Sequence, residues 1–361
     1  MISDSATLIA FPHAAARPVP TRIAQLRQRL LELGAKPCHE DRVLRGWSQV
    51  CSYDKKHSPA ETFFPLALRH ALPEIEAQLQ GLARLKSEHP AAEGVARLLV
   101  ELHDGQMAES VLLPRGGLCV STQVGCAVGC VFCMSGRAGL IRQLGSAEIV
   151  AQVALARARR AVSKVVFMGM GEPAHNLDNV LEAIQVLGLQ GGIGHKNLVL
   201  STVGDLRVFE RLPLGTVKPA LALSLHSTDA RLRAELLPRA PRIPVAELVE
   251  HAEAYARATH YPTQYQWTLI EGVNDGDAEI ERIAALLKGK YALMNLIPFN
   301  QVDGLAYRRP SDERAAYMVR TLRARGIIAQ IRDSAGQEVE GACGQLRARA
   351  MKAGQPAATE A

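Results

Sequence analysis

The chain has 361 residues, of which 48% are hydrophobic and 4% aromatic, and its formal net charge is +6. That length predicts one large domain with a smaller appendage, and no run of about 18 apolar residues marks a membrane span. The N-terminus lacks the basic start and long apolar stretch of a secretory signal, so we expect a cytoplasmic protein with no membrane partner. The mild basic excess fits an RNA partner, as it also fits many proteins that bind none.

The N-terminal part of the chain is predicted to be helical, after a flexible start over residues 1–20. Apolar residues recur at helical spacing from Ile23 to Leu33, and Gly34 predicts the end of that helix. We expect a small helical accessory domain over residues 21–90. It would dock RNA, with candidate contacts at Arg42, Arg45 and Trp47, although Trp47 is more typical of a core residue.

A β-hairpin is predicted over residues 91–117. Two strand-like runs flank Asp104 and Gly105, a dipeptide that is typical of tight hairpin turns. The hairpin would link the helical domain to the main one.

From residue 118 onward, six strand-like runs alternate with helical segments. The runs span residues 118–123, 164–170, 197–202, 219–225, 264–270 and 293–299. Such β-α units predict an α/β fold with a parallel sheet, curled into an open (β/α)6 partial barrel over residues 118–346. A flexible tail over 347–361 would follow. Functional sites in such folds lie at the C-terminal ends of the strands.

Four of the seven cysteines fall between positions 119 and 133, which indicates a metal site or redox chemistry. Cys126, Cys130 and Cys133 have the spacing C-x3-C-x2-C, and three thiolates on one loop can bind three irons of a 4Fe–4S cluster. The fourth iron then has no protein ligand and can bind S-adenosylmethionine (SAM). A structural zinc site would need a fourth ligand, and no second C-x2-C pair is present. The motif resembles that of the radical SAM superfamily.

Several of the predicted strands end in residues that suit contacts with a bound ligand. Gly171 and Glu172 directly follow the second run, where glycines let the backbone approach a ligand closely. The third, fourth and sixth runs end in polar groups that suit hydrogen bonds to ribose, carboxylate or adenine. Together these strand ends predict a SAM site made of Gly171, Glu172, Ser201, Ser224, Leu225, His226 and Asn300.

The assembled motifs resemble those of the RlmN/Cfr family, radical SAM methyltransferases that methylate an adenine carbon in RNA. The matching stretches lie between about residues 95 and 346 and read CVSTQVGCAVGCVFC, VVFMGMGEP, VLST, LALSLH, LIEGVND, NLIPFN and ACGQL. The resemblance implies a radical SAM partial barrel, one 4Fe–4S cluster, SAM as cofactor and an RNA substrate.

The same resemblance implies catalytic roles for three further residues. Cys343 would accept a methyl group from one SAM, and a radical made from a second SAM would activate that methyl for addition to the adenine ring. Glu109 matches the position of the family's general base. Cys119 would release the product by attacking the Cys343 sulfur, and the resulting Cys119–Cys343 disulfide would then be reduced by thiol–disulfide exchange.

The target is expected to be C2 of an adenosine, with C8 as the alternative, in rRNA, tRNA or both. Residues 331–339 differ from the family pattern in their basic residues, so the sequence leaves the target adenosine open. We expect a monomer that takes electrons from a donor such as flavodoxin or ferredoxin. Arginines that suit RNA phosphates are Arg137, Arg142, Arg308, Arg309, Arg320, Arg323 and Arg325.

Two other functions stay open from the sequence alone. One is a radical SAM enzyme of another reaction class, which would not need the Cys119 and Cys343 pair. The other is a non-enzymatic RNA protein that binds metal, either zinc or a cluster.

Overall fold

The computed structural model describes residues 19–300, 305–332 and 346–347. Eleven α-helices are present in this part of the chain: α1 (Ile23–Glu32), α2 (Pro37–Gln49), α3 (Ala60–Phe63), α4 (Leu66–Gly81), α5 (Ser146–Arg157), α6 (Leu177–Leu189), α7 (Leu206–Arg211), α8 (Ala230–Leu236), α9 (Val245–Thr259), α10 (Asp277–Leu287) and α11 (Asp312–Ala324). None of these helices is long and apolar enough to cross a membrane.

The same part of the chain contains twelve strands: β1 (Ala83–Pro90), β2 (Ala96–Leu102), β3 (Met107–Leu113), β4 (Gly117–Cys119), β5 (Gln123–Gly125), β6 (Leu140–Gln143), β7 (Lys164–Phe167), β8 (Leu198–Thr202), β9 (Ala220–Ser224), β10 (Thr263–Leu269), β11 (Ala292–Pro298) and β12 (Ala329–Ile331). Ten of them form one sheet in the order β1-β2-β3-β4-β7-β8-β9-β10-β11-β12. Neighbours are antiparallel from β1 to β4 and parallel from β4 to β12. The described sheet does not close on itself, which confirms the predicted open α/β barrel.

The sheet extends beyond the six predicted strands at both ends. The hairpin of β2 and β3 is an integral part of it, and β1 is a strand where the sequence predicts the end of the helical region. The segment ARLKSEHP has few apolar residues, but every second side chain is less exposed, as in an edge strand. At the other end, the three-residue β12 adds a seventh parallel strand that is too short to produce a sequence signal.

Side chains of different size occupy the two faces of the parallel strands. Leu198, Leu200 and Trp267 belong to the large core that packs against the helices. The opposite face carries a separate cluster of smaller residues, including Val199 and Ala222. Because successive strand residues point to opposite faces, this alternation leaves room inside the curved sheet for polar groups and a ligand.

A partly buried ion-pair cluster fastens the hairpin to the barrel. Arg142 on β6 binds Asp104 at the hairpin turn with Nε–Oδ2 at 2.7 Å, and binds Glu148 on α5 with Nη1–Oε2 at 2.8 Å. Glu148 is fully buried and also accepts a hydrogen bond from the Gly145 backbone N–H at 2.8 Å. The Arg142 guanidinium therefore connects the hairpin, the strand that follows the cysteine loop and the start of α5.

Replacing Arg142 with Met is expected to lower the free energy of unfolding by about 1–3 kcal/mol, because the buried Glu148 carboxylate loses its guanidinium partner. Urea denaturation measures the change. Arg231→Met is the control, since the Arg231 and Glu235 side chains are 90% and 61% exposed and such pairs contribute under about 1 kcal/mol. Equal effects of the two substitutions would show that the Arg142 cluster is not a structural clamp.

Candidate functional site

The three clustered cysteines lie on a loop between β5 and β6 that is folded tightly on itself. Cys126 donates its backbone N–H to Gly139 O at 3.1 Å, which closes the loop at its base. A Cβ at Gly136 would lie 2.7 Å from Gly129 Cα, so the two glycines permit a backbone contact that no other residue pair would. The glycines of this segment therefore hold the cysteines on one compact turn.

The cysteine loop is anchored to the end of α8 and to the segment that follows it. Val131 donates its backbone N–H to Leu236 O at 3.1 Å, and Arg239 Nη1 donates to Ala127 O at 3.1 Å. A small apolar cluster that includes Val128, Leu237 and Phe299 surrounds Cys126. The loop is thus shielded on one side by apolar side chains, the setting in which an iron–sulfur cluster is protected from solvent.

Burial raises the pKa of all three loop thiols. The pKa of Cys126 rises to about 11, and those of Cys130 and Cys133 rise as well. Neighbouring loop thiols add to the rise at Cys126 and Cys130. Backbone N–H groups that face the sulfurs of Cys126 and Cys133 act in the opposite direction. Such donors stabilise thiolates. The three thiols are neutral at pH 7, so iron would displace their protons when it binds.

The donor set fits a cubane cluster. In the described residues, no three His, Cys, Asp or Glu side chains converge on one point as the ligands of a single ion would. A 4Fe–4S cluster makes a different demand, because each thiolate binds its own iron and the sulfurs stand farther apart than around one zinc ion. Three thiols on one shielded loop meet that demand.

The loop opens onto a cavity of about 310 Å³ at the C-terminal edge of the parallel strands. Besides the three cysteines, its lining includes six residues predicted to bind SAM: Gly171, Glu172, Ser201, Ser224, His226 and Asn300. Leu225 does not line the cavity. It is fully buried in the large core, because it follows Ser224 and points to the opposite face.

Gly171 and Glu172 join the ends of neighbouring strands beside the cavity. The Glu172 carboxylate accepts hydrogen bonds from Thr202 Oγ1 at 2.6 Å and from the Val203 backbone N–H at 3.0 Å. Its own N–H donates to Gln123 Oε1 at 2.8 Å. Although burial raises its pKa, these donors favour the ionised form. The Glu172 side chain is therefore occupied by the protein, which leaves the backbone of this turn to meet a ligand.

His226 is a neutral ring with a defined tautomer. Its Nδ1 accepts a hydrogen bond from the Thr268 backbone N–H at 2.9 Å, so the ring proton resides on Nε2. Burial and the nearby Arg233 guanidinium lower the pKa of His226 to about 3, which keeps the ring neutral at physiological pH. The ring is packed edge-on against Phe132, with centroids 4.8 Å apart. His226 thus contributes an N–H donor to the cavity wall.

The sequence prediction missed two polar residues of the cavity wall, Gln266 and Thr268 on β10. The signal was present in the run QYQWTLI, where polar residues alternate with Tyr265 and Trp267. The two aromatic side chains are fully buried in the large core, so the alternating polar residues face the inside of the sheet.

Glu109 and Cys119 lie on adjacent strands, and neither lines the cavity. Cys119 pairs with Val111 on β3, two residues from Glu109, so both side chains point to the same face of the sheet. The Glu109 carboxylate is 1% exposed, pairs with Arg97 Nη2 at 2.9 Å, and accepts the Arg347 backbone N–H at 2.9 Å. The chain near its C-terminus therefore returns to the strands that carry Glu109 and Cys119.

Burial raises the pKa of Cys119 to about 11, so it is a thiol at neutral pH. The Met168 backbone N–H and the Arg332 guanidinium act in the opposite direction. Cys343, the predicted methyl carrier, lies outside the described residues. The predicted Cys119–Cys343 disulfide finds no support, since Cys119 is a free thiol here.

Two arginines that the sequence offered as RNA contacts are committed to the protein. Arg142 is held in the ion-pair cluster with Asp104 and Glu148. Arg42 is 7% exposed, stacks over the Phe63 ring at 3.3 Å and donates to Ser58 O. Neither guanidinium can reach a phosphate without leaving its partners, so both predictions are wrong. Trp47 is a core residue, as its sequence context favoured.

Comparison with known proteins identifies the family. Residues 120–286 match the Radical SAM superfamily. A probable RNA methyltransferase from Methylibium petroleiphilum is 70% identical over 330 residues, which cover 91% of this chain and 94% of the relative. The chain belongs to the radical SAM superfamily. Within it, the chain belongs to the same family as this relative and as a probable RNA methyltransferase from Pseudomonas aeruginosa strain UCBPP-PA14, which is 67% identical over 92% of this chain and 96% of the relative.

The radical SAM fold is confirmed by a solved structure. A radical SAM methyltransferase from Sphaerobacter thermophilus superposes with a TM-score of 0.77 at 34% identity, covering 90% of this chain and 97% of that chain. Membership of the radical SAM superfamily implies a 4Fe–4S cluster and SAM as cofactors.

Replacing Gly171 with Ala is expected to distort the cavity and weaken SAM binding. Gly171 has φ of +104°, and an added Cβ would lie 2.6 Å from Gln123 Cβ and 2.8 Å from Thr122 Oγ1. The control is Gly272→Ala, where φ is +66° and no atom lies within 4 Å of the added Cβ. Urea denaturation should show a loss of about 1–2 kcal/mol for the control, from left-handed strain alone, and a larger loss for Gly171→Ala. Equal losses of stability in the two variants, together with unchanged SAM affinity in Gly171→Ala, would contradict a close approach of Gly171 to Gln123 and Thr122.

Proposed function

We propose that this protein is a radical SAM RNA methyltransferase that methylates a ring carbon of adenine, C2 in preference to C8, in rRNA or tRNA. The observation that carries the proposal is the hydrogen bond from the Arg347 backbone N–H to Glu109. Arg347 follows Cys343 by four residues, and Glu109 shares a face of the sheet with Cys119. This contact supports a catalytic centre in which the three predicted catalytic residues work together.

The proposed roles divide between the cavity and the neighbouring strands. Cys126, Cys130 and Cys133 would hold the 4Fe–4S cluster, which when bound supplies the electron that cleaves SAM to a 5′-deoxyadenosyl radical. The strand ends at Glu172, Ser201, Ser224, His226 and Asn300 would orient SAM. The apolar side chains around the loop would keep water from the radical.

The methyl group would travel on the protein. An adenine carbon between two nitrogens is electron-poor, so it reacts poorly with the electrophilic methyl of SAM. The Cys343 thiolate is a better nucleophile and would take the methyl by displacement. Once the activated methyl carbon has added to the ring and the adduct has lost one electron, which the oxidised cluster could accept, Glu109 would remove the ring proton. The Cys119 thiolate would then attack the Cys343 sulfur, so that an S–S bond forms as the bond between that sulfur and the methyl carbon breaks, and the released carbon would take up a proton.

RNA as the substrate is supported by the names of the relatives and by the net charge of +6. The residues that bind it would lie on the exposed basic surface, since Arg42 and Arg142 are committed elsewhere. A buried target base would have to leave its stack to reach the inside of the sheet. An electron donor such as flavodoxin or ferredoxin would reduce the cluster.

Replacing Cys126 with Ser is expected to abolish cluster assembly. Anaerobic reconstitution should give about four irons and absorbance near 400 nm in the parent protein, and far less of both in the variant, because a ligand of one iron is lost. Cys38→Ser is the control, since Cys38 is exposed on α2, outside the cysteine loop. A parent protein that binds zinc without iron would refute the cluster and with it the proposed function.

Mass spectrometry of Cys343 tests the proposed methyl transfer directly. Reconstituted enzyme incubated with SAM should carry one additional methyl group on Cys343. With RNA present, Cys119→Ser should accumulate a covalent protein–RNA adduct, because the step that releases the product needs a thiol at position 119. A Cys343 that is never methylated would favour a radical SAM enzyme of another reaction class.

A further inference from the structure

A buried acceptor in the cavity wall has no donor. Gln266 is 3% exposed, and its Oε1 makes no hydrogen bond within the described part of the chain. Buried side-chain oxygens are almost always paired, because an unpaired one has lost its water partners without compensation. An apolar side chain at this position would avoid that penalty. The unpaired oxygen therefore points to a donor that a ligand supplies.

The orientation of the Gln266 amide is fixed by the backbone. Its Nε2 donates to Gln264 O at 3.2 Å. A rotation of the amide by 180° would bring Oε1 against the same carbonyl oxygen, and two acceptors cannot form a hydrogen bond. The nitrogen thus faces the strand, and the oxygen is the atom that remains to be satisfied.

The neighbours of Gln266 define the chemistry of the ligand. Ser224 lies in register with Gln266 on the adjacent strand, and Thr268 is the next residue along the same face of β10. The neutral ring of His226 completes this part of the wall. Hydroxyls, a ring N–H and an amide oxygen are uncharged donors and acceptors. They suit ribose hydroxyls and a nucleobase, whereas the amino-acid half of SAM carries charges and needs charged partners or a metal.

We propose that Gln266 Oε1 accepts a hydrogen bond from the adenosine half of SAM, either from a ribose hydroxyl or from the 6-amino group. The proposal rests on the proposed use of SAM in this cavity. It adds one residue of β10 to the predicted SAM contacts. The strand β10 lies between the strand that carries Ser224 and the strand that leads to Asn300. Gln266 would contact only the nucleoside half of SAM. The methionine half would be bound by the cluster.

Ligand affinities of the cluster-loaded full-length protein test this assignment. Equilibrium dialysis under anaerobic conditions would measure the dissociation constants for SAM, 5′-deoxyadenosine and methionine. Gln266→Met should weaken binding of SAM and 5′-deoxyadenosine by about 3- to 10-fold, the effect of one neutral hydrogen bond, and should leave methionine binding unchanged. Iron content and the unfolding midpoint should stay close to those of the parent, because removal of the unpaired oxygen offsets loss of the hydrogen bond from Nε2 to Gln264 O.

Two further variants sharpen the result. Gln264→Met makes the same change on the same strand and face, but Gln264 does not line the cavity, so its affinities should equal those of the parent. Gln266→Glu keeps an acceptor oxygen but loses the hydrogen bond to Gln264 O, so its SAM affinity should lie between those of the parent and of Gln266→Met. Unchanged affinity for SAM and 5′-deoxyadenosine in Gln266→Met would overturn the proposal. So would an effect confined to RNA binding, which would assign Gln266 to the target nucleoside.

The affinity measurements for SAM, 5′-deoxyadenosine and methionine need no RNA and no turnover. A protein that binds SAM through Gln266 but never methylates Cys343 would refute the proposed function and leave this inference intact. If Cys343 is methylated but Gln266→Met leaves the ligand affinities unchanged, only the inference about Gln266 is refuted.

Discussion

The site depends on one buried carboxylate at the edge of the parallel sheet. Glu172 accepts hydrogen bonds from Thr202 Oγ1, from the Val203 N–H and from the Ala174 N–H, and its own N–H is bound by Gln123. These contacts tie the end of β7 to the end of β8 and to the strand that leads into the cysteine loop. They hold the strand that leads into the cysteine loop beside the cavity wall. The left-handed backbone of Gly171 is what allows the turn to come so close to Gln123.

The structure divides the proposed chemistry between two neighbouring places. The cavity gathers the cysteine loop and polar strand ends, and it suits the generation of a radical. The face of the sheet at β3 and β4 carries Glu109 and Cys119, next to a buried Arg97 and the returning chain at Arg347. This separation has a physical use, because a methyl carried on a cysteine can be loaded and activated in different steps.

Much of this site could be predicted from the sequence, because its signals are local. The cysteine spacing is a contiguous motif. The polar residues at the ends of apolar strands are predicted to meet because parallel strands end at one edge of the sheet. The side chain of Leu225 points away from the cavity, which the contiguous Ser-Leu-His motif does not reveal because it ignores the alternation of faces. Gln266 was missed because it lies within a strand, where a polar residue carries no boundary signal.

Other features depended on long-range contacts that no local pattern reveals. The strand β1 exists because it pairs with β2, and its own sequence is polar. Arg142 and Arg42 look like exposed RNA contacts in the sequence. In the structure, Arg142 is bound by Asp104, which is distant in the chain, and Arg42 stacks over the ring of Phe63. The charge of a side chain can be read from a sequence, but whether that charge is already neutralised cannot.

The central claim is that the radical chemistry delivers a methyl carbon to an adenine ring in RNA. Nucleoside mass spectrometry of rRNA and tRNA from a strain that lacks the gene tests it most directly. The account predicts that one C-methyladenosine, 2-methyladenosine in the first instance, is lost and that it returns when the parent gene is supplied but not the Cys343→Ala variant. An unchanged set of modified adenosines in both RNA classes would contradict the account.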